Sequence, residues 1–220
     1  MLRGMRYYPF ALATAIMCVA SAAGAQTSVG GVAGVSSQAS GDSDLPYLGR
    51  GFGGTAVAVL ATIDRDWKRH LTIGGEVSTA GAISGDQSQR TGTASNAFTS
   101  HHRDTVFSGT AKIGVSIGGR VRAAAVGGAG GAWRRTSREG TTASLFPPAS
   151  RAPFSETVTN LVFAYTLGGD VTFKLTDRLA ILVAGRRHQL HDKDRLDTGV
   201  VARGVSSTIY RGGLGAQWRF

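Results

Sequence analysis

The stretch Tyr210–Phe220, YRGGLGAQWRF, decides how the chain is read. Tyr210, Leu214, Ala216, Trp218 and Phe220 share one parity, while Arg211, Gln217 and Arg219 share the other. A strand places successive side chains on opposite faces, so this alternation gives one oily face and one wet face. The same period recurs upstream. Val57, Val59, Ala61 and Ile63 share a face, as do Leu71, Ile73 and Val77. So do Phe107, Ala111, Ile113, Val115 and Ile117, and Val121, Ala123, Ala125, Ala129 and Trp133. The longest run is Leu161, Phe163, Tyr165, Leu167, Val171, Phe173 and Leu175, followed by Leu179, Ile181 and Val183.

Eight strands are expected from this pattern, at 27–37, 52–63, 67–80, 104–117, 120–133, 157–175, 179–190 and 205–220. Short returns are read at Asp64-Arg65-Asp66, Gly118-Gly119 and Thr176-Asp177-Arg178. Long polar connections are read at 38–51, 81–103, 134–156 and 191–204. An even number of strands, with short turns at one end and long loops at the other, is the layout of an up-and-down antiparallel barrel in an outer membrane. The fold class is therefore all-β, an eight-stranded transmembrane β-barrel. A soluble sandwich alternates too. Exposed aromatics at both rims are what would separate the two: Phe52, Phe107, Trp133 and Tyr210 near the loops, and Trp67, Phe173, Trp218 and Phe220 near the turns.

Residues 1–25 read as a cleaved export signal: Arg3 and Arg6 precede an apolar run from Phe10 to Ala20, and Ala23-Gly24-Ala25 supplies small residues before Gln26. The barrel domain is then 26–220. Cys18 is the lone cysteine, so the processed chain has no disulfide, thiol nucleophile or thiolate metal site. No stretch of the processed chain is long and apolar enough for a membrane helix. The formal charge is +10. In an exported chain this points to anionic lipid phosphates rather than nucleic acid. Thirty-two glycines against five prolines, without a fixed period, favour strands and turns and exclude collagen-like and solenoid folds.

Charge fixes the register. Glu76, Lys112, Arg122, Asp170, Lys174, Arg186, Arg211 and Arg219 all lie on the parity opposite the apolar face. A Lys or Arg turned to lipid costs about 2–4 kcal/mol at the midplane. Glu76, Lys112, Arg122, Asp170, Arg186 and Arg211 are thus expected inside the barrel as a charge-paired network, because buried ions need partners. Arg69 and Arg187 fall on the outward parity near strand ends, where their side chains can snorkel to headgroups. Leu60, Val126, Val162 and Leu182 point inward, which suits a small barrel filled by side chains.

Leu167-Gly168-Gly169-Asp170-Val171-Thr172-Phe173-Lys174-Leu175-Thr176-Asp177-Arg178-Leu179 and the terminal Trp218-Arg219-Phe220 resemble the small outer-membrane barrels of the OmpA, OmpX and opacity-protein type, a porin-like superfamily. The chain departs from that family at Arg187, where an aromatic is frequent. The resemblance implies a bacterial outer-membrane location. It also implies an insertion signal formed by Tyr210, Leu214, Trp218 and Phe220, read by the barrel-assembly machinery. The role implied is structural or surface-interactive, in envelope integrity, adhesion or lipopolysaccharide contact, by a monomer without cofactor. Arg134, Arg135, Arg138 and Arg151 are the expected loop contacts for anionic lipopolysaccharide phosphates or an extracellular ligand. Two other functions stay open: a narrow porin-like channel, and a lipid A-modifying enzyme. For the enzyme, no strand presents His and Ser two apart beside an acid. The histidine clusters 101–102 and 188–191 lack the converging ligands of a metal site, and Gly127–Gly131 has no following helix to form a phosphate cradle.

Overall fold

A computed structural model describes residues 26–40, 53–91, 94–144, 151–191 and 206–220. The export signal read at 1–25, Phe52, and nearly all of the loops read at 38–51 and 191–204 lie outside the described residues. Among the described residues there are nine strands: β1 Thr27–Ser40, β2 Gly53–Lys68, β3 Leu71–Ala80, β4 Ile83–Thr91, β5 Ala94–Ile117, β6 Val121–Ser144, β7 Arg151–Lys174, β8 Leu179–His191 and β9 Ser206–Arg219.

Antiparallel pairing runs β3-β2-β1-β9-β8-β7-β6-β5, and β3 pairs in turn with β5 from Leu71↔Ile113 to Thr79↔Thr105. That last ladder closes eight strands into a ring and removes every sheet edge at that level. β4 stands outside the ring, paired to β5 alone among the ladders.

The ends of the barrel differ. At one end the chain reverses at Arg69–His70, at Gly118–Arg120 and at Leu175–Arg178. Gly118 and Gly119 have φ of 61° and 74°, the left-handed values that a tight hairpin turn demands and that glycine adopts without strain. In the Leu175–Arg178 turn the Thr176 hydroxyl accepts from the amides of Arg178 at 3.3 Å and Leu179 at 3.0 Å. Phe220 ends at this same end, its amide donating to the Thr27 carbonyl.

Burial is inverted relative to a protein in water. Outward Val57 and Leu161 are 73% and 72% exposed, while inward Leu182 and Leu190 are 1% and 0% exposed. Trp67, Phe173, Trp218 and Phe220 are exposed around the turn end, and Phe107, Trp133 and Tyr210 around the other. A continuous outward belt of large apolar side chains between two aromatic rims is far beyond what a soluble surface tolerates. It is the surface of a barrel in hydrocarbon.

Inward glycines set the curvature. A Cβ at Gly34 would collide with the backbone of Gly212 and Gly213, and one at Gly213 with Ala33, so β1 and β9 pack flush only because neither carries a side chain there.

Three expectations are corrected. Asp64-Arg65-Asp66 is not a turn: β2 continues to Lys68, held by Thr27↔Arg65 and Ser28↔Asp64 on β1. The polar stretch 81–103 is not a loop but a hairpin, β4 and the first part of β5. The stretch 134–156 is largely strand, since β6 runs to Ser144 and β7 begins at Arg151, in register across Thr141↔Pro153. β5, β6 and β7 are 24 residues each, about twice the 9–11 that cross hydrocarbon. Their upper halves therefore stand clear of the apolar belt as a four-stranded extension with β4. Polar composition misleads here because both faces of that extension meet water, so no oily alternation marks it.

Candidate functional site

The interior is a column of paired charges. At the turn end Arg122 reaches Asp66 at 3.2 Å and donates to Thr72 Oγ1 at 2.8 Å, and Thr72 donates to Asp66 at 2.6 Å. Above them Lys112 Nζ lies 2.8 Å from both Asp64 and Asp170. Arg186 continues the chain, donating to Asp170 at 2.6 Å and to Glu76 at 2.8 Å, and to the carbonyls of Gly169 and Gly185. One hydrogen-bonded unit thus ties β2, β3, β5, β7 and β8 together across the lumen. Asp64, Glu76, Lys112, Asp170 and Arg186 are all buried.

A second unit lies higher. Arg211 on β9 donates to the Ser78 carbonyl at 2.7 Å and hydroxyl at 2.5 Å, and to the Asp104 carbonyl at 2.8 Å. His188, wholly buried, contacts Ser78 Oγ at 3.3 Å and Thr166 Oγ1 at 3.0 Å, and Thr166 contacts Ser108 at 2.8 Å. Arg134 then pairs with Asp104 at 2.9 Å and donates to Ser207. Apolar patches fill the remaining wall: Val32, Leu60, Leu182 and Ala184 at one side, and Val106, Ala132, Val162, Ala164, Leu190 and Ile209 at the other.

A cavity of about 170 Å3 opens at the turn end, where Arg122, Lys174 and Arg219 reach it, and its lining extends to Asp64, Lys112 and Asp170. Lys174 at its rim pairs with Asp177 at 2.8 Å, and that hydrogen bond holds the Asp177 carboxyl below the usual carboxylate range. The charged layer stands between this mouth and the upper lumen.

The structure brings Glu76, Lys112, Asp170 and Arg186 into one network, leaves Arg122 half-buried beside it, and sets Arg211 one layer above. Tyr210, Leu214, Trp218 and Phe220 all face outward and are exposed. Arg134, expected among exposed loop cations, is instead inside, because β6 extends past Trp133 and carries its even positions into the lumen opposite Asp104. The other three do not converge. Arg135 is exposed on the outward face, Arg138 lies on the opposite face with its guanidinium 6.0 Å from the Phe98 ring, and Arg151 is exposed at the start of β7.

Asp64 and Asp104 were missed as interior acids. Both carry the inward parity of their strands, Asp64 with Leu60 and Thr62, Asp104 with Val106 and Ser108. Extending the second expected strand past Ile63 finds Asp64, whereas Asp104 already lies at the start of the strand expected at 104–117 and its parity alone places it inside.

Two serine–histidine contacts join strands that sequence spacing could not connect. Ser78–His188 is sealed in the lumen, with Thr166 rather than a carboxylate on the second ring nitrogen. Ser84 Oγ lies 2.6 Å from His101 Nδ1 on the outward face of the β4–β5 hairpin, and no contact to a carboxylate is found for His101 among the described residues. Both lack the acid that orients the imidazole of a hydrolytic triad. Among the described residues no group of three or more His, Cys, Asp or Glu side chains is placed to hold a metal.

No family model matches the chain, and no curated protein matches it. Among solved structures it is similar to Ail, the attachment invasion locus protein of Yersinia pestis, at 14% identity over 90% of this chain and 100% of that one, with a TM-score of 0.41. It is also similar to Neisserial surface protein A, at 8% identity over 90% and 100%, TM-score 0.46. A third is the outer membrane protease OmpT of Escherichia coli, at 10% identity over 91% and 99%, TM-score 0.40. By its own strand count, its closing β3–β5 ladder and its inverted apolar surface, the chain is a small transmembrane β-barrel of the outer-membrane type.

Proposed function

We propose that this barrel resides in the bacterial outer membrane as a structural and surface-interacting protein, and neither transports solutes nor catalyses a reaction. One observation carries the reading: Lys112 and Arg186, with Asp64, Glu76 and Asp170, bridge the lumen between facing strands and plug it. A plug of five buried charges stabilises only as a complete set, since removing one member leaves a desolvated partner. What remains available for function is the surface, and the four-stranded extension raises it well beyond the bilayer. Envelope integrity, adhesion and lipopolysaccharide contact are the roles such a surface suits. Insertion by the barrel-assembly machinery through Tyr210, Leu214, Trp218 and Phe220 belongs to the same reading.

The test is electrical. Purified chain in planar bilayers should give no discrete conductance steps, whereas E76Q/R186Q, which opens the charged layer, should. Regular steps from the native chain would instead establish a narrow channel. Mass spectrometry of acyl chains released from lipopolysaccharide should find none; release abolished by S84A would establish an enzyme.

A further inference from the structure

Arg103 and Arg135 are directly opposed on β5 and β6, in register with Thr159 on β7. Both side chains point outward and are exposed. Directly opposite residues hold their Cβ atoms about 4.5–5.5 Å apart, and like charges in that position repel. No hydrogen bond or ion pair to a carboxylate is found for either among the described residues. Asp104, the acid nearest Arg103 in sequence, faces the lumen and pairs with Arg134, and Glu139, the acid nearest Arg135, lies two outward rows further from the membrane, opposite Thr99.

The pair's height on the barrel is defined by its neighbours. One outward row toward the membrane lie Thr105, Trp133 and Leu161, with Trp133 and Leu161 exposed in the aromatic and apolar belt. One outward row away lie His101 and Ser137, with Ser84 opposite His101. On the β3 side, the junction Gly81–Ala82 offers no side chain larger than a methyl. An uncompensated pair of guanidiniums therefore sits at the headgroup level, with an open flank and hydroxyl and imidazole groups just above.

We infer that Arg103 and Arg135 form a docking site for the phosphate of a phosphorylated glycolipid in the outer leaflet, the phosphate bridging the two guanidiniums. The inference rests on the membrane reading above and specifies the lipid contact that reading leaves general. Arginine suits the task because its planar fork grips phosphate through two parallel N–H donors. Bridging converts the cross-strand repulsion into attraction to one anion. A lipid phosphate is favoured over a soluble one because Trp133 and Leu161 directly below supply the acyl and glycan contacts that a free anion cannot use.

The full processed chain is inserted into phosphatidylcholine nanodiscs doped with bis-phosphorylated lipid A, and retained glycolipid is titrated by native mass spectrometry. R103Q/R135Q should weaken retention about tenfold or more, the scale of losing charge-assisted hydrogen bonds. R103K/R135K, which keeps charge without the fork, should fall between. R69Q, a cation at the opposite end, should match the native chain. Equal retention by native and R103Q/R135Q chains, an equal loss in R69Q, or displacement by inorganic pyrophosphate as effective as by lipid A would each overturn the inference. A native chain that fails to insert and shows no heat-modifiable band would overturn the membrane reading and this site together; insertion with unchanged R103Q/R135Q affinity overturns the site alone.

Discussion

Replacing Arg186 by Ala is the sharpest test of the plug. Arg186 alone among the network's cations contacts Glu76, and it shares Asp170 with Lys112. Its loss leaves Glu76 buried with no cation in hydrogen-bond contact, while Asp170 keeps Lys112 at 2.8 Å. Breaking a buried pair by removing one partner costs about 3–5 kcal/mol, since the remaining charge stays desolvated. That is about 10²–10⁴-fold in the unfolding equilibrium, and a large share of an ordinary stability of about 5–15 kcal/mol. Glu76→Leu should cost less than Arg186→Ala, because Arg186 then retains Asp170. The double variant E76L/R186A removes the charge and its partner together and should recover much of the loss, since apolar replacements of a buried pair are often neutral or better. Urea titrations in micelles, followed by tryptophan fluorescence and by the heat-modifiable band, give all four corners of the cycle. Strict additivity of the two single changes would show that Glu76 and Arg186 do not support one another, and the plug argument would be lost.

Other positions make separate demands. Leu214 lies outward midway between Tyr210 and Trp218, so Leu214→Arg should cost about 2–4 kcal/mol against little for Leu214→Met, read by the same urea titration. Gly34→Val must displace the β9 backbone and should lower folding yield in vesicles by the about 1–3 kcal/mol typical of overpacking, while Gly31→Val, with nothing within 4 Å of its Cβ, should fold normally. Asp177 titrates below its ordinary value of 3.8 because Lys174 hydrogen-bonds it. Its small contribution to stability is therefore present above 3.8 and fades as pH falls through the lower folded value. Carbon-detected NMR should show that low midpoint, and K174M should raise it; an unchanged midpoint in K174M would remove Lys174 as the cause.

What could be read from the amino acids, and what could not, follows from which solvent each face meets. From Phe107 to Ile117 or Leu161 to Phe173 one face meets hydrocarbon, and every second residue is held apolar by a free-energy cost that no neighbour can relieve. Strand, register and the inward parity of Lys112, Asp170 and Arg186 were therefore legible. Beyond Trp133 that cost vanishes: Arg135, Ser137 and Glu139 face water, and so do many residues on the opposite face, so a two-sided polar strand looks like a loop. The same blindness hid Arg134, whose place inside the lumen depends on β6 continuing past the point where alternation stops. Partner choice was illegible for a different reason. Ser78 and His188 meet across 110 residues of chain, and Lys112 reaches Asp170 across 58. Parity says that these groups share the lumen, but their heights along the axis depend on the stagger of every intervening ladder, and that is set only when β3 meets β5. The closing ladder is thus what turns a set of inward charges into a specific network. A change that shifted β3 against β5 by two residues would keep every apolar residue in lipid yet separate Glu76 from Arg186, so the ionic plug also selects among registers that the hydrocarbon belt cannot distinguish.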